Sequence, residues 1–97
     1  MKKFVFLYQG MWDPSDQAMK DAWTNWFGSI SDSIVDGGNP LGAGREVTPT
    51  GTIDLPLTAD STTGYTIVNA DNLDDAERLL KDCPIVTGVR VYEAMSM

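Results

Sequence analysis

Residues 64–84, GYTIVNADNLDDAERLLKDCP, leave this chain less freedom than any other stretch. Tyr65, Thr66, Ile67, Val68 and Asn69 are mostly β-branched or aromatic, which suits a pleated, half-buried surface, and the run is short enough to be a strand. Asn72 or Asp71 then offers a side-chain oxygen to the free N–H groups of a starting helix. Asp74, Asp75 and Glu77 place negative charge where the helix dipole favours it. Leu73, Ala76, Leu79, Leu80 and Cys83 recur every three or four residues as one apolar stripe, and Pro84 ends it. A phosphate would meet like charge at this crowded N-terminus, so the carboxylates are read as a structural cap rather than a ligand site.

Upstream, Lys3–Gln9 predicts a first strand with large side chains on both faces: Phe4, Phe6 and Tyr8 on one, Val5 and Leu7 on the other. Asp13-Pro14-Ser15-Asp16 predicts a helix start, with Asp13 as cap and Pro14 in the first helical position. Met19, Ala22, Trp23, Trp26, Phe27, Ile30 and Ile34 keep helical spacing for about five turns, until Gly37 and Gly38 stop the helix. At that spacing Trp23, Trp26 and Phe27 read as core, while Trp12, ahead of the helix, is freer to line a pocket. Arg45–Thr48 and Thr52–Leu55 are weaker strand candidates about a Pro49-Thr50-Gly51 turn, and Pro56–Thr63 is a polar loop. Gly88–Met95 predicts the last strand, with Val89, Val91 and Met95 on one face and Arg90, Tyr92 and Ala94 on the other.

Strand, long helix, irregular strands, strand, helix, strand is the order of an α+β chain: a ferredoxin-like βαββαβ sandwich over residues 1–97, with an antiparallel sheet and both helices on one face. One such layer leaves the second sheet face bare, yet the first strand is apolar on both sides. The sequence therefore predicts a homodimer that covers the sheet face.

What the chain lacks limits its chemistry. It has no histidine, which excludes Ser-His-Asp and Cys-His catalysis, histidine zinc sites and the usual neutral-pH proton shuttle within one chain. Fourteen acidic residues against seven basic ones give a net charge of −7, which argues against nucleic acid and anionic membrane as partners. The single cysteine, Cys83, excludes an internal disulfide, reads as a buried apolar residue and fits a cytoplasmic setting. The Met1-Lys2-Lys3 start with Phe4–Tyr8 is too short to serve as a signal peptide. ADNLDDAE lacks the glycine and ligand spacing of a calcium loop, so neither metal nor cofactor is expected.

Four segments carry a family likeness: the first strand ending in Tyr8, Val35-Asp36-Gly37-Gly38-Asn39-Pro40-Leu41, Gly64–Asp71, and the closing Val91-Tyr92-Glu93-Ala94-Met95. Together they resemble the YCII-related domain family over nearly the whole chain. The resemblance implies a bacterial protein with a dimeric α+β barrel and a pocket between sheet and helices. Some members are similar to barrels of the muconolactone-isomerase type, and a related dehydrochlorinase acts on chlorinated hydroxyquinols. In such members a histidine on the first helix and an aspartate after it form the proposed acid–base pair. Asp36 matches the aspartate; Asn25, Trp26 or Phe27 stands where the histidine would be.

The candidate site is therefore Tyr8, Trp12, Asn39, Arg45 and Tyr65 as ligand-binding residues, with Asp36 as the candidate catalytic base. Three functional readings follow. One is a homodimer that binds a small cyclic, phenolic or carboxylic ligand with weak or no catalysis. The second is a lyase or isomerase using Asp36 with a tyrosine, and the third a structural or partner-binding module.

Overall fold

A computed structural model describes residues 1–96. Its main sheet has four antiparallel strands, β1 (Lys2–Gln9), β2 (Ile34–Asp36), β5 (Thr62–Ala70) and β6 (Gly88–Ala94), in the order β2-β5-β1-β6. Helices α1 (Gln17–Ser29) and α2 (Leu73–Arg78) supply the second layer. A hairpin, β3 (Gly44–Thr48) and β4 (Gly51–Leu55), forms a separate two-stranded sheet in the connection from β2 to β5. Without that hairpin the order is the ferredoxin-like βαββαβ. Among the described residues no helix is long and apolar enough to cross a membrane.

The core follows from strand alternation. Phe4 and Phe6 of β1 lie opposite Val68 and Thr66 of β5, and all four are buried. Trp26 descends on them from α1, Ile30 from its C-terminal cap and Ala76 from α2, with Leu80 just beyond. Burial of each large side chain here is worth roughly 1.5–3 kcal/mol. The indole of Trp26, 2% exposed, also donates from Nε1 to the Leu79 carbonyl at 2.8 Å, which ties the two helical segments together. On the opposite sheet face Val5 stands between Ile67 and Tyr92, and Leu7 between Tyr65 and Arg90. Val5, Leu7 and Ile67 are partly exposed there, and Tyr92 is 54% exposed.

Three sequence expectations are corrected. The cap of α1 is Asp16, whose carboxylate accepts from Met19 N at 3.1 Å. Asp13 instead accepts from Ser15 N and Ser15 Oγ at 2.9 and 2.8 Å, closing a turn before the helix. Both aspartates have the chemistry of a cap; a start at Gln17 is the one the chain adopts.

The first helix is also shorter than its apolar spacing suggested. It ends at Ser29, passes through a 3₁₀ turn at Ser31–Ser33, and releases Ile34 into β2 opposite Val68. Ser31, Asp32 and Ser33 compete with helical backbone bonds, while the open edge of β5 offers ladder bonds instead. Ile34 packs against the same core from a strand rather than from a helix turn. Gly37 and Gly38 consequently follow a strand and do not cap a helix.

The second helix stops at Arg78, well before Cys83. Leu79, Leu80, Lys81 and Cys83 continue through tighter i→i−3 bonds to Ala76, Glu77, Arg78 and Leu80, which keep Leu80 and Cys83 against the core. Asn72 is its cap, accepting from Asp75 N at 2.8 Å.

Candidate functional site

At the open end of the sheet, helix α1, the β1–α1 loop and the segment after β2 enclose a cleft of about 330 Å³, a size that suits one ring-sized ligand. Tyr8 is the last inward residue of β1, and the ladder places Gly64 directly opposite. A Cβ on Gly64 would sit at ordinary contact distance, 3.4 Å from the Tyr8 ring and 3.5 Å from the Asn39 carbonyl. Trp23 and Phe27, one helical turn apart on α1, form a wall, and Trp12 closes the side.

The wall is an aromatic lattice. Tyr8 and Trp23 meet edge to face at 5.0 Å between ring centroids, and Trp23 meets Trp26 the same way at 5.6 Å. The sequence grouped these aromatics as core. Trp26 belongs there, but half-buried Trp23 and Phe27 line the cleft. Helical spacing cannot separate the two roles, because 23, 26 and 27 share one face; the difference is which end of the sheet each ring reaches.

The lip of the cleft is Gly37–Pro40. Asp36 Oδ1 accepts from Gly38 N at 2.8 Å. Gly38 has φ +81°, and a Cβ there would fall 1.6 Å from the Tyr65 carbonyl oxygen, so no other residue fits. Pro40 bridges to Gly64, and Leu41 N donates to the Thr63 carbonyl at 2.9 Å. Asn39 Nδ2 donates to the Tyr65 hydroxyl at 3.2 Å.

Among the sequence-chosen residues, Tyr8, Trp12, Asn39 and Tyr65 all line this one cleft. Asp36 lies just behind the lip, with its carboxylate on Gly38 N. Arg45 stands on the hairpin, where it pairs with Asp54 at 3.0 Å, and both side chains are exposed; it is no part of the cleft. Gly37, Gly38, Pro40, Thr63 and Gly64 complete the lining. Their signal in the sequence was the turn-rich DGGNP segment.

The electrostatics are those of an uncharged site. None of the lining residues is Asp, Glu, Lys or Arg. Burial raises the Tyr8 phenol above its ordinary range, so it stays protonated. It donates to Thr66 Oγ1 at 2.7 Å, and Thr66 in turn donates to the Gly37 carbonyl at 3.0 Å. With its proton committed, Tyr8 has lone pairs left to accept from a guest. Tyr65, accepting from Asn39, keeps its own proton to donate. The cleft can thus stack a flat molecule and exchange hydrogen bonds with it, and none of its walls supplies a carboxylate, thiol or amine as base or nucleophile. Among the described residues no three Cys, Asp or Glu side chains gather to hold a metal ion.

No family model matches the chain, and neither does any curated protein. A solved structure does: 5-chloro-2-hydroxyhydroquinone dehydrochlorinase from Burkholderia phenoliruptrix AC1100, in complex with 2,5-dihydroxybenzoquinone. The two are 17% identical and align over 98% of this chain and 95% of that one, with a TM-score of 0.55. At that identity the likeness is one of fold: this chain shares the α+β architecture of the dehydrochlorinase.

Proposed function

We propose that this chain is a homodimeric ligand-binding protein of the YCII-related type, and that its guest is a small, uncharged cyclic or phenolic molecule. One observation carries the proposal: Tyr8, Trp12, Trp23, Phe27 and Tyr65 wall a ring-sized cleft that contains no ionised side chain. A carboxylate guest would lose hydration there without gaining a cation, since Arg45 is elsewhere. Phenols, quinones and lactones are therefore preferred over acids. Absence of a base from the cleft favours binding with little or no turnover. The apolar outer sheet face around Val5, Leu7, Ile67 and Tyr92 supports dimerisation.

A lyase reading draws support from the shared fold, because the dehydrochlorinase was solved with a dihydroxybenzoquinone. In that reading Asp36 acts as base and must first release the Gly38 N–H.

A thermal-shift and tryptophan-fluorescence screen against phenols, quinones, lactones and small carboxylic acids tests both. Uncharged rings should raise the melting temperature saturably, and Tyr8→Phe or Trp12→Ala should diminish the effect. Preference for carboxylic acids would overturn the proposed ligand class. Turnover that disappears in Asp36→Asn, with folding intact, would establish the lyase.

A further inference from the structure

The β3–β4 hairpin is the least supported element of the fold. Its strands pair with each other from Gly44↔Leu55 to Thr48↔Gly51 and pack on little else. Val47 is 75% exposed, Ile53 59% and Leu55 46%. By alternation Val47 lies on one face of the ribbon, and Ile53 and Leu55 on the other, so both faces carry uncovered apolar side chains. A lone two-stranded hairpin is marginal in water and needs a third strand or a covering surface.

The base of the ribbon is held in place. On one side Leu41 N bonds the Thr63 carbonyl and Pro40 bridges Gly64; on the other Gly10 N bonds the Ser61 carbonyl at 2.8 Å. These anchors direct the hairpin away from the core. The molecule is accordingly flat, 41 × 40 × 18 Å, with a radius of gyration of 14.6 Å against roughly 12.5 Å for a globular chain of this length.

Surface area indicates what covers the hairpin. The chain exposes 6700 Å², whereas a folded monomer of its 10.6 kDa presents roughly 5,500 Å². The excess, about 1,200 Å², follows from the flat shape and projecting hairpin, and it is larger than the roughly 800 Å² per partner that a standard interface needs. Two surfaces contribute to it, the hairpin and the apolar sheet face, and in a two-fold dimer each copy offers the same pair.

We propose that β3–β4 is a dimerisation arm, with Val47, Ile53 and Leu55 packed against a second copy of this chain. The proposal goes beyond dimerisation through the sheet, since the arm is a separate element outside the βαββαβ core. Because the arm springs from the segment that forms the cleft lip, each subunit's lip is steadied by the partner that holds its arm.

The test uses the full chain. Light scattering and sedimentation give the dimer dissociation constant of wild type and of Val47→Asp/Ile53→Asp, while p-benzoylphenylalanine at position 53 reports what the arm touches. Mixing unlabelled and ¹⁵N-labelled chains separates cross-links between copies from those within one. The double variant should weaken dimerisation about 30-fold or more, with its circular dichroism retained, and cross-links should join different copies. If the variant is insoluble, Ile53→Thr should give the same direction, about 3- to 10-fold. A dissociation constant unchanged in the double variant, with cross-links confined to one chain, would overturn the arm and leave the sheet dimer standing. A wild type monomeric at 100-fold above the low-micromolar range, with the cleft still binding ligand, would overturn arm and sheet dimer while sparing the ligand reading.

Discussion

Tyr8 and Thr66 are diagonal neighbours on one face of the β1–β5 ladder, two residues out of register, and the phenol of Tyr8 donates to Thr66 Oγ1 at 2.7 Å. Thr66 is fully buried and passes its own proton to the Gly37 carbonyl. A core strand, the cleft floor and the cleft lip are thereby joined by two hydrogen bonds. Tyr8→Phe removes one of them and should cost about 0.5–1.5 kcal/mol in urea unfolding. Thr66→Val breaks both and leaves a carbonyl unpaired, so its cost should be larger, about 1–3 kcal/mol. Equal costs would mean that the relay does not run through Thr66.

Gly38 and Gly37 should respond very unequally to the same substitution. Gly38→Ala must place a methyl group on the Tyr65 carbonyl at a positive φ, so a loss of about 2 kcal/mol or more is expected, together with loss of cleft ligand affinity. Gly37 has open space around its Cβ position, and Gly37→Ala should stay within about 1 kcal/mol of wild type. Thermal or chemical denaturation of the pair decides whether the lip depends on this backbone.

Cys83 is half-buried beside the core, and burial pushes its thiol from about 9 up to about 12. At pH 8 the native thiol should react with a disulfide reagent on the order of 100- to 1,000-fold more slowly than the unfolded chain. The folded-state value lies above the unfolded one for both Cys83 and Tyr8, so their neutral forms favour the folded state. For Cys83 that stability is complete below about 9 and is lost as pH rises towards 12, and for Tyr8 the loss begins at higher pH. An alkaline fall in melting temperature that is reduced in Cys83→Ala would show it; a flat profile would not fit.

Helix capping gives a third comparison. Asp16→Ala removes the bond to Met19 N and should cost about 1 kcal/mol. Asp13→Ala leaves the helix capped, so its denaturation midpoint should move less than that of Asp16→Ala. The reverse order would return the helix start to Asp13.

Much of this was legible in the residues. The apolar faces of β1 and β5, a second helix capped at Asn72 or Asp71 and the composition of the last strand are local patterns, and the element order they give is that of the observed fold. Residue type and family likeness point to Tyr8, Trp12, Asn39 and Tyr65, and these four line one cleft. Less legible was β2. Ile34 satisfies helical spacing from Trp23 through Ile30 as well as it satisfies strand alternation, so periodicity pointed to a helix. Only the vacant edge of β5 decides otherwise. Trp23 was indistinguishable from Trp26 for the same reason, since both lie on one helical face.

By itself the sequence determined what chemistry the chain can contain and which side of each strand is apolar. With no histidine and a single cysteine, those limits hold in any fold. Tertiary structure alone decided where charge is absent. Asp36 turns to the Gly38 N–H, Arg45 goes to Asp54 on the hairpin, and the cleft is left to aromatic rings and glycines. Such placement depends on contacts between residues dozens of positions apart, as when Asn39 meets Tyr65 and Tyr8 meets Thr66. Local periodicity carries no record of them, because they arise only when the sheet has formed and a helix has packed across it.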